Sequence, residues 1–263
     1  MGNGGYPASV LAPPRLAPPR ATLVIPARDE GDRIAVTLDR LRAALRPGCE
    51  ILVVVDDPAD GTHAAVAAYG RAAPEVRCVL NRYGAGPANA IRFGMASATA
   101  EVIVVTMADG SDDPGQAAQL IGLVEGGAAV AAASRYMPGG RQVGGPVLKS
   151  ALSRCAGLSL HLLARLGTRD ATNSYKAYSA RFVREVGVDS RHGFEVGIEL
   201  TAKARRRRLP VAEIPTSWQG RRGGRSHFHV VRWLPRYLRW YWFSFGPSLT
   251  TAQVRDRAGQ GRS

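Results

Sequence analysis

Cysteine is scarce: only Cys49, Cys78 and Cys155 occur in 263 residues. An odd, sparse set makes a poor disulfide framework, so a reducing compartment is the simpler reading, and no zinc-ligand spacing is present. The first twenty residues lack the unbroken apolar stretch of a secretory signal. Instead Ala12-Pro13-Pro14-Arg15 and Ala17-Pro18-Pro19-Arg20 read as an extended or disordered arm over 1–20. Acidic residues are few, 21 against 35 Lys and Arg, for a net charge of +14. That surplus favours anionic partners: nucleic acid, anionic lipid or phosphorylated substrates. Aromatic-studded RNA motifs and zinc knuckles are absent, which argues against nucleic acid.

What is present is a regular alternation. Short apolar runs at Ala21–Pro26, Ile51–Val55, Val76–Leu80, Val102–Thr106 and Val130–Ala133 read as buried strands. Between them lie helical stretches: Asp32–Leu45 with Ile34, Leu38, Leu41 and Leu45 at helical spacing, then Thr62–Ala73, Pro87–Ala98, and one that starts at Asp112-Asp113-Pro114. Uninterrupted apolar strands alternating with helices predict an α/β fold with a mostly parallel sheet flanked by helices. Ligands of such sheets bind in the crevice outside the carboxyl ends of the strands. Arg28, Asp29 and Glu30 follow the first run, Asp56 and Asp57 the second, and Asp109, Asp112 and Asp113 the fourth. Three acidic clusters at one sheet edge predict a site.

Carboxylates in the turn Met107–Pro114 can hold a hard divalent cation through oxygen, and such a cation can bridge to a diphosphate. The competing reading is that Asp112 and Asp113 cap the next helix; Asp109 is too early to do so. In Asp56–Thr62, Asp56 and Asp57 can accept from ribose hydroxyls or base N–H groups, while Asp60 and Gly61 fit a turn and cap. Gly84-Ala85-Gly86-Pro87-Ala88-Asn89 is either a phosphate cradle before a helix or a tight turn, because Asn89 stands where a dinucleotide fingerprint has its third glycine.

These segments in order resemble family-2 glycosyltransferases of the GT-A (Rossmann-like) fold. Ser134-Arg135-Tyr136, Gly139-Gly140, Leu152-Ser153-Arg154, Asp170–Tyr178, Gly193-Phe194, Glu199, Glu213-Ile214-Pro215, Arg221, Gly224 and Ser226 extend the likeness to the dolichol- and polyprenyl-phosphate mannosyltransferases. The resemblance runs from about Thr22 to Phe228. It implies an inverting transfer of a hexose, mannose in that subfamily, from a GDP- or UDP-linked donor to a polyprenyl phosphate, with Mg²⁺ or Mn²⁺. By the same resemblance Pro26, Arg28, Glu30 and Asp57 line the nucleotide pocket, with Asp56 and Gly86 added from the motifs above. Asp109 is the second acid of the metal-binding Asp-x-Asp, with Asp112 and Asp113 as candidate co-ligands. Arg221 clamps the diphosphate, while Arg135, Lys149, Ser153 and Arg154 meet the acceptor phosphate. Met107 stands where the first acid is expected, and thioether sulfur is a poor ligand for a hard cation. Pro58-Ala59 replaces the usual Gly-Ser after the paired acids. An alcohol acceptor would need a base, for which Asp170 and Glu199 are the candidates; a non-catalytic binding protein of the same fold is the third reading.

Residues 227–249 predict an amphipathic segment. On a helical wheel Arg232, Arg236 and Arg239 share one face, and Val230, Leu234, Leu238, Tyr241 and Phe245 the other. Trp233, Trp240 and Trp242 suit the headgroup level of a bilayer. The arginines, and the want of about 20 consecutive apolar residues, argue against a spanning helix. The alternative is a helix packed on the domain; both hold if different faces are used. The run Lys203–Arg208 reads first as a solvated helix end, second as a lipid contact. The domain therefore covers 21–226, residues 250–263 read as a disordered tail, and the expected location is cytoplasmic, peripheral to the inner face of the membrane.

Overall fold

The computed structural model describes residues 19–220 and 230–259. Its strands are β1 (Ala21–Pro26), β2 (Cys49–Val55), β3 (Val76–Leu80), β4 (Val102–Val105), β5 (Val130–Ser134), β6 (Arg141–Val143), β7 (Lys176–Ser179), β8 (Val211–Pro215) and β9 (Ser217–Gln219). Seven form one sheet in the order β3-β2-β1-β4-β7-β5-β8, and β6 pairs with β9 in a separate ribbon. Only β7 runs against its neighbours in the large sheet. The inner strands β1, β2 and β4 are almost wholly apolar because both faces are covered, whereas the edge strands β3 and β8 carry Arg77 and Glu213. Leu23, Ile25, Val53, Val55 and Val104 point into one core layer, and the alternate residues Val24, Val54, Ile103 and Val105 into the other.

The first layer is closed by α1 (Ile34–Ala44), α2 (Gly61–Gly70) and α4 (Ala117–Glu125). The second is closed by α3 (Pro87–Ser97), α6 (Ala180–Val186) and α7 (Val196–Arg206). Helix α3 lies so close on β1 that a Cβ on Gly94 would stand 2.3 Å from Val24 Cγ1. A third, smaller core joins α5 (Val147–Leu163), α7, α8 (Val230–Phe243) and α9 (Thr251–Gly259) around Trp240.

Several expectations are corrected. Arg20, read as the end of the arm, is bonded to the body: its guanidinium pairs with Glu125 at 2.7 Å and its N–H donates to Gly48 O; residues 1–18 lie outside the described residues. The tail read from 250 onward is helix α9, because Val254 and Ala258, four apart, are both buried and Arg255 caps α6 through Glu185 O and Arg184 O. The helix expected from Asp112 begins as a 3₁₀ turn at Pro114–Gln116, and α4 starts only at Ala117. Trp240, expected at a headgroup level, is 2% exposed; its Nε1 donates to Ser190 Oγ at 3.1 Å.

The basic run 203–208 is mostly turned inward. Lys203 is buried between Asp189 at 2.7 Å and Glu199 at 2.6 Å. Arg205 donates to Ala164 O and Gly246 O, Arg206 to Phe243 O and Pro247 O, and Arg207 to Leu249 O. These guanidinium groups satisfy Ala164 O after α5, Phe243 O at the end of α8 and three carbonyls in the link from α8 to α9, and so tie these segments to α7.

Candidate active site

Strands β1, β2 and β3 are laid down to one side and the chain then crosses back to place β4 on the other side of β1. The crevice beyond the carboxyl ends of β1 and β4 is therefore the topological switch point, where α/β sheets bind ligands. Pro26 closes β1, and Arg28 and Glu30 follow it: Arg28 is exposed beside Asp29, while Glu30 is buried with Arg33 at 3.8 Å. Thr62 Oγ1 accepts from the N–H groups of Glu30 and Gly31 and holds this turn against α2. At the end of β2, Asp57 is exposed and accepts from Ala59 N at 2.8 Å. Asp60 caps α2 through Thr62 N, as its position in the motif suggests.

Two members of the expected nucleotide set are otherwise engaged. Both Asp56 oxygens are bonded at 2.8 Å, one to Asn81 Nδ2 and the other to Gly86 N. The N–H that a phosphate cradle at Gly86 would offer is thus given to Asp56. Gly86 sits at φ 121°, and a Cβ there would meet His192 O at 3.3 Å. The loop 84–89 is a tight turn held by a carboxylate.

The turn after β4 is braced from outside. Thr37 Oγ1 donates to Ala108 O at 2.8 Å, Arg40 to Gly110 O at 3.1 Å and Tyr175 Oη to Asp113 O at 2.9 Å. Asp112 is turned in: it is buried and accepts from Thr106 Oγ1 at 2.9 Å and Met107 N at 3.0 Å. Burial pushes its carboxyl up to about 6. Asp113 accepts from Gly115 N at 3.0 Å and caps the 3₁₀ turn. The expected trio Asp109, Asp112 and Asp113 therefore does not converge, and among the described residues no three acidic, histidine or cysteine side chains form a metal-binding group. Asp109 is half-buried, with one oxygen accepting from Ser111 N at 3.1 Å. One carboxylate at a strand end fits Mg²⁺ or Mn²⁺ when diphosphate oxygens and water complete the shell, the usual arrangement for Mg²⁺ at phosphate substrates.

A cavity of about 600 Å³ opens beside this crevice, between the end of β5, β6 and the start of α5. Arg135, Arg141 and Arg154 line it with Tyr136 and Gln142. Arg135 is clamped: Nε and one terminal nitrogen donate to the two oxygens of Asp170 at 2.6 and 2.9 Å, and that nitrogen also reaches Ser153 Oγ at 3.2 Å. Asp170 is 0% exposed. Burial pushes its carboxyl up, but the Arg135 guanidinium outweighs that and holds it below the usual carboxylate range. A buried, fully bonded carboxylate that resists protonation does not serve as a base, so the catalytic role expected of Asp170 is replaced by positioning of Arg135. Glu199 is likewise buried, accepting from Asp189 N, Ser190 N and Lys203. Arg135 and Ser153 are brought together as expected and Arg154 lies at the cavity wall, whereas the Lys149 side chain and all of Arg221 lie outside the described residues. Arg141 and Gln142 were missed in the sequence; the only signal was their position just after Gly139-Gly140.

Residues 22–187 match the family model for glycosyl transferase family 2. Polyprenol monophosphomannose synthase of Mycolicibacterium smegmatis is 32% identical over 234 residues, 86% of this chain and 85% of that protein. Undecaprenyl-phosphate mannosyltransferase of Micrococcus luteus is 29% identical over 214 residues, 79% of this chain and 86% of that one. Among solved structures, glucosyl-3-phosphoglycerate synthase from Mycobacterium tuberculosis, in complex with Mn²⁺, UDP and glucosyl-3-phosphoglycerate, superposes with a TM-score of 0.65 at 17% identity. That match covers 88% of this chain and 81% of the other, and at such identity it shows the fold alone.

Proposed function

The chain belongs to glycosyl transferase family 2, and on that premise we propose that this glycosyltransferase moves a mannosyl group from a nucleotide diphosphate donor to a polyprenyl phosphate, with inversion. The observation that carries the reading is the cavity lined by Arg135, Arg141, Arg154 and Val147, with the exposed Leu148 and Leu152 following Val147 on the first turns of α5. Cations beside an apolar strip suit an anionic head with a hydrocarbon tail. The two relatives above are named for mannose and a polyprenyl or undecaprenyl phosphate acceptor, and no helix among the described residues is long and apolar enough to cross a membrane. Peripheral attachment at the cytoplasmic face fits both.

The donor nucleotide lies in the β1–β4 crevice against Arg28, Glu30 and Asp57, with its diphosphate toward Asp109. A Mg²⁺ or Mn²⁺ ion held by Asp109 and the diphosphate would neutralise charge on the departing group. The acceptor phosphate is already largely anionic near neutral pH, so its oxygen attacks the anomeric carbon in line. The bond from that carbon to the β-phosphate oxygen breaks, and the nucleoside diphosphate leaves with its electron pair. No side chain has to remove a proton, which agrees with the engagement of Asp170 and Glu199. The work of Arg135, fixed by Asp170, and of Arg154 is to position the acceptor.

The test is radiolabel transfer from GDP-mannose and from UDP-glucose to polyprenyl phosphate and to the matching polyprenol. Mannosyl transfer to the phosphate alone is expected, dependent on Mn²⁺ and reduced roughly a hundredfold or more by Asp109→Ala. Preferential transfer to the polyprenol would sink the acceptor assignment. Turnover unchanged in Asp109→Ala would sink the metal assignment.

A further inference from the structure

A second cavity, of about 460 Å³, lies at the other edge of the sheet. Val211, the first residue of β8, is in its wall, whereas Asp109 follows the carboxyl end of β4, which runs in the same direction. Arg165, Arg205 and Arg208 line this cavity and no Asp or Glu does. Arg205 is partly engaged by Ala164 O and Gly246 O, while the guanidinium groups of Arg165 and Arg208 take part in no ion pair or hydrogen bond among the described residues. Arg165 and Arg208 also have left-handed backbones, at φ 54° and 55°. Each follows the C-cap of its helix, α5 or α7, where a left-handed residue is a common way to end a helix.

The surroundings select the kind of anion. Helix α5 has 17 residues, about 25 Å of length at ~1.5 Å per residue. The acceptor cavity lies at its first turn and the arginine cavity just past its last. Leu162 and Leu163, at its last turn, are 71% and 72% exposed. Helix α8 packs on this part of α5 through Tyr241 Oη, 3.0 Å from Ser159 Oγ, and its end carries Trp242, 68% exposed, with Phe245 in contact with that ring. Cations set behind exposed leucines and a tryptophan match a bilayer surface, where the phosphate lies beside the apolar layer.

We propose that this cavity binds the headgroup phosphate of an anionic phospholipid, a second lipid contact that lays α5 along the membrane so that the acceptor cavity opens onto it. The inference rests on the membrane-bound acceptor proposed above.

The test is cosedimentation of the full chain with phosphatidylcholine vesicles and with vesicles that also contain phosphatidylglycerol, with neither donor nor acceptor present. Arg165→Gln/Arg208→Gln removes two charges at side chains without internal partners. Arg46→Gln/Arg71→Gln removes two at exposed sites elsewhere. The expected result is binding to the phosphatidylglycerol vesicles that falls roughly thirtyfold in the first variant and stays near the unmodified level in the second. Transfer to a short, soluble polyprenyl phosphate is unchanged in both. Equal loss in the two variants, or none in the first, overturns the site while leaving the membrane reading intact. Binding to neither vesicle by the unmodified protein overturns the membrane reading as well. If the first variant loses binding to an RNA oligonucleotide and not to vesicles, the cavity is a nucleic-acid contact and the proposal fails.

Discussion

Three aspartates that look alike in sequence have three different fates, set by what each side chain meets. Asp109 is half-buried at the donor crevice, Asp112 is folded under Thr106 and Met107, and Asp170 is locked to Arg135. Removing one partner of a buried ion pair leaves the other charge uncompensated, which costs about 3–5 kcal/mol. Asp170→Asn is therefore expected to lower the melting temperature on the order of 10 °C at neutral pH. The sign of the pH dependence follows from the direction of the shift. The Asp170 carboxyl lies below its unfolded value of about 3.9, so its contribution is complete above that value and is lost as pH falls through the folded one. Melting curves of the two proteins should converge as the pH drops below about 4. A constant gap down to the acid transition would show that the pair is not what stabilises the site.

At the scale of the element, α8 divides its aromatic residues between two environments. Trp240 is buried with Tyr237, Tyr241 and Phe243 packed around the same core, while Leu234, Leu238, Trp242 and Phe245 face outward. The packed reading accounts for one face of the helix, and the outward residues are the ones an interfacial contact would use. Truncating the buried face creates a cavity; truncating the exposed one does not. Trp240→Ala is expected to cost about 3–5 kcal/mol in denaturant unfolding, and Trp242→Ala to stay within about 0.5 kcal/mol while weakening vesicle binding. The reverse order would mean that α8 is held to the body by something other than this core.

For the whole molecule, the surplus of positive charge divides between internal and external work. Arg205, Arg206 and Arg207 spend hydrogen bonds on carbonyls around the end of α8, whereas Arg154, Arg165 and Arg208 are exposed at the two cavities. Attraction between exposed arginines and an anionic bilayer is screened by salt, and the insertion of apolar side chains is not. Raising NaCl until the Debye length shrinks from about 10 Å to about 3 Å should remove most of the binding to phosphatidylglycerol vesicles and leave a residue equal to that on phosphatidylcholine. Binding that ignores salt would assign the attachment to the apolar surface alone.

The fold was legible in the sequence because strands buried on both faces must be apolar throughout, as in Ala21–Pro26 and Val102–Val105, and the acidic ends of those runs mark the crevice edge. The family was legible from motifs such as Ser134-Arg135-Tyr136 in their order along the chain. Helix α9 was not, since two buried residues, Val254 and Ala258, leave too faint a period, and the docking of the basic run 203–208 was not, since an arginine that caps a distant carbonyl looks the same in sequence as a solvated one. Tertiary structure alone decided what each carboxylate meets: Asp56 is bonded by Asn81 and Gly86, Asp112 by Thr106 and Met107 and Asp170 by Arg135, while Asp109 stays half-buried at the crevice with Ser111 N on one oxygen. The reason is that backbone pattern is encoded by local periodicity, whereas the use of a side chain depends on what the folded chain brings within hydrogen-bonding distance.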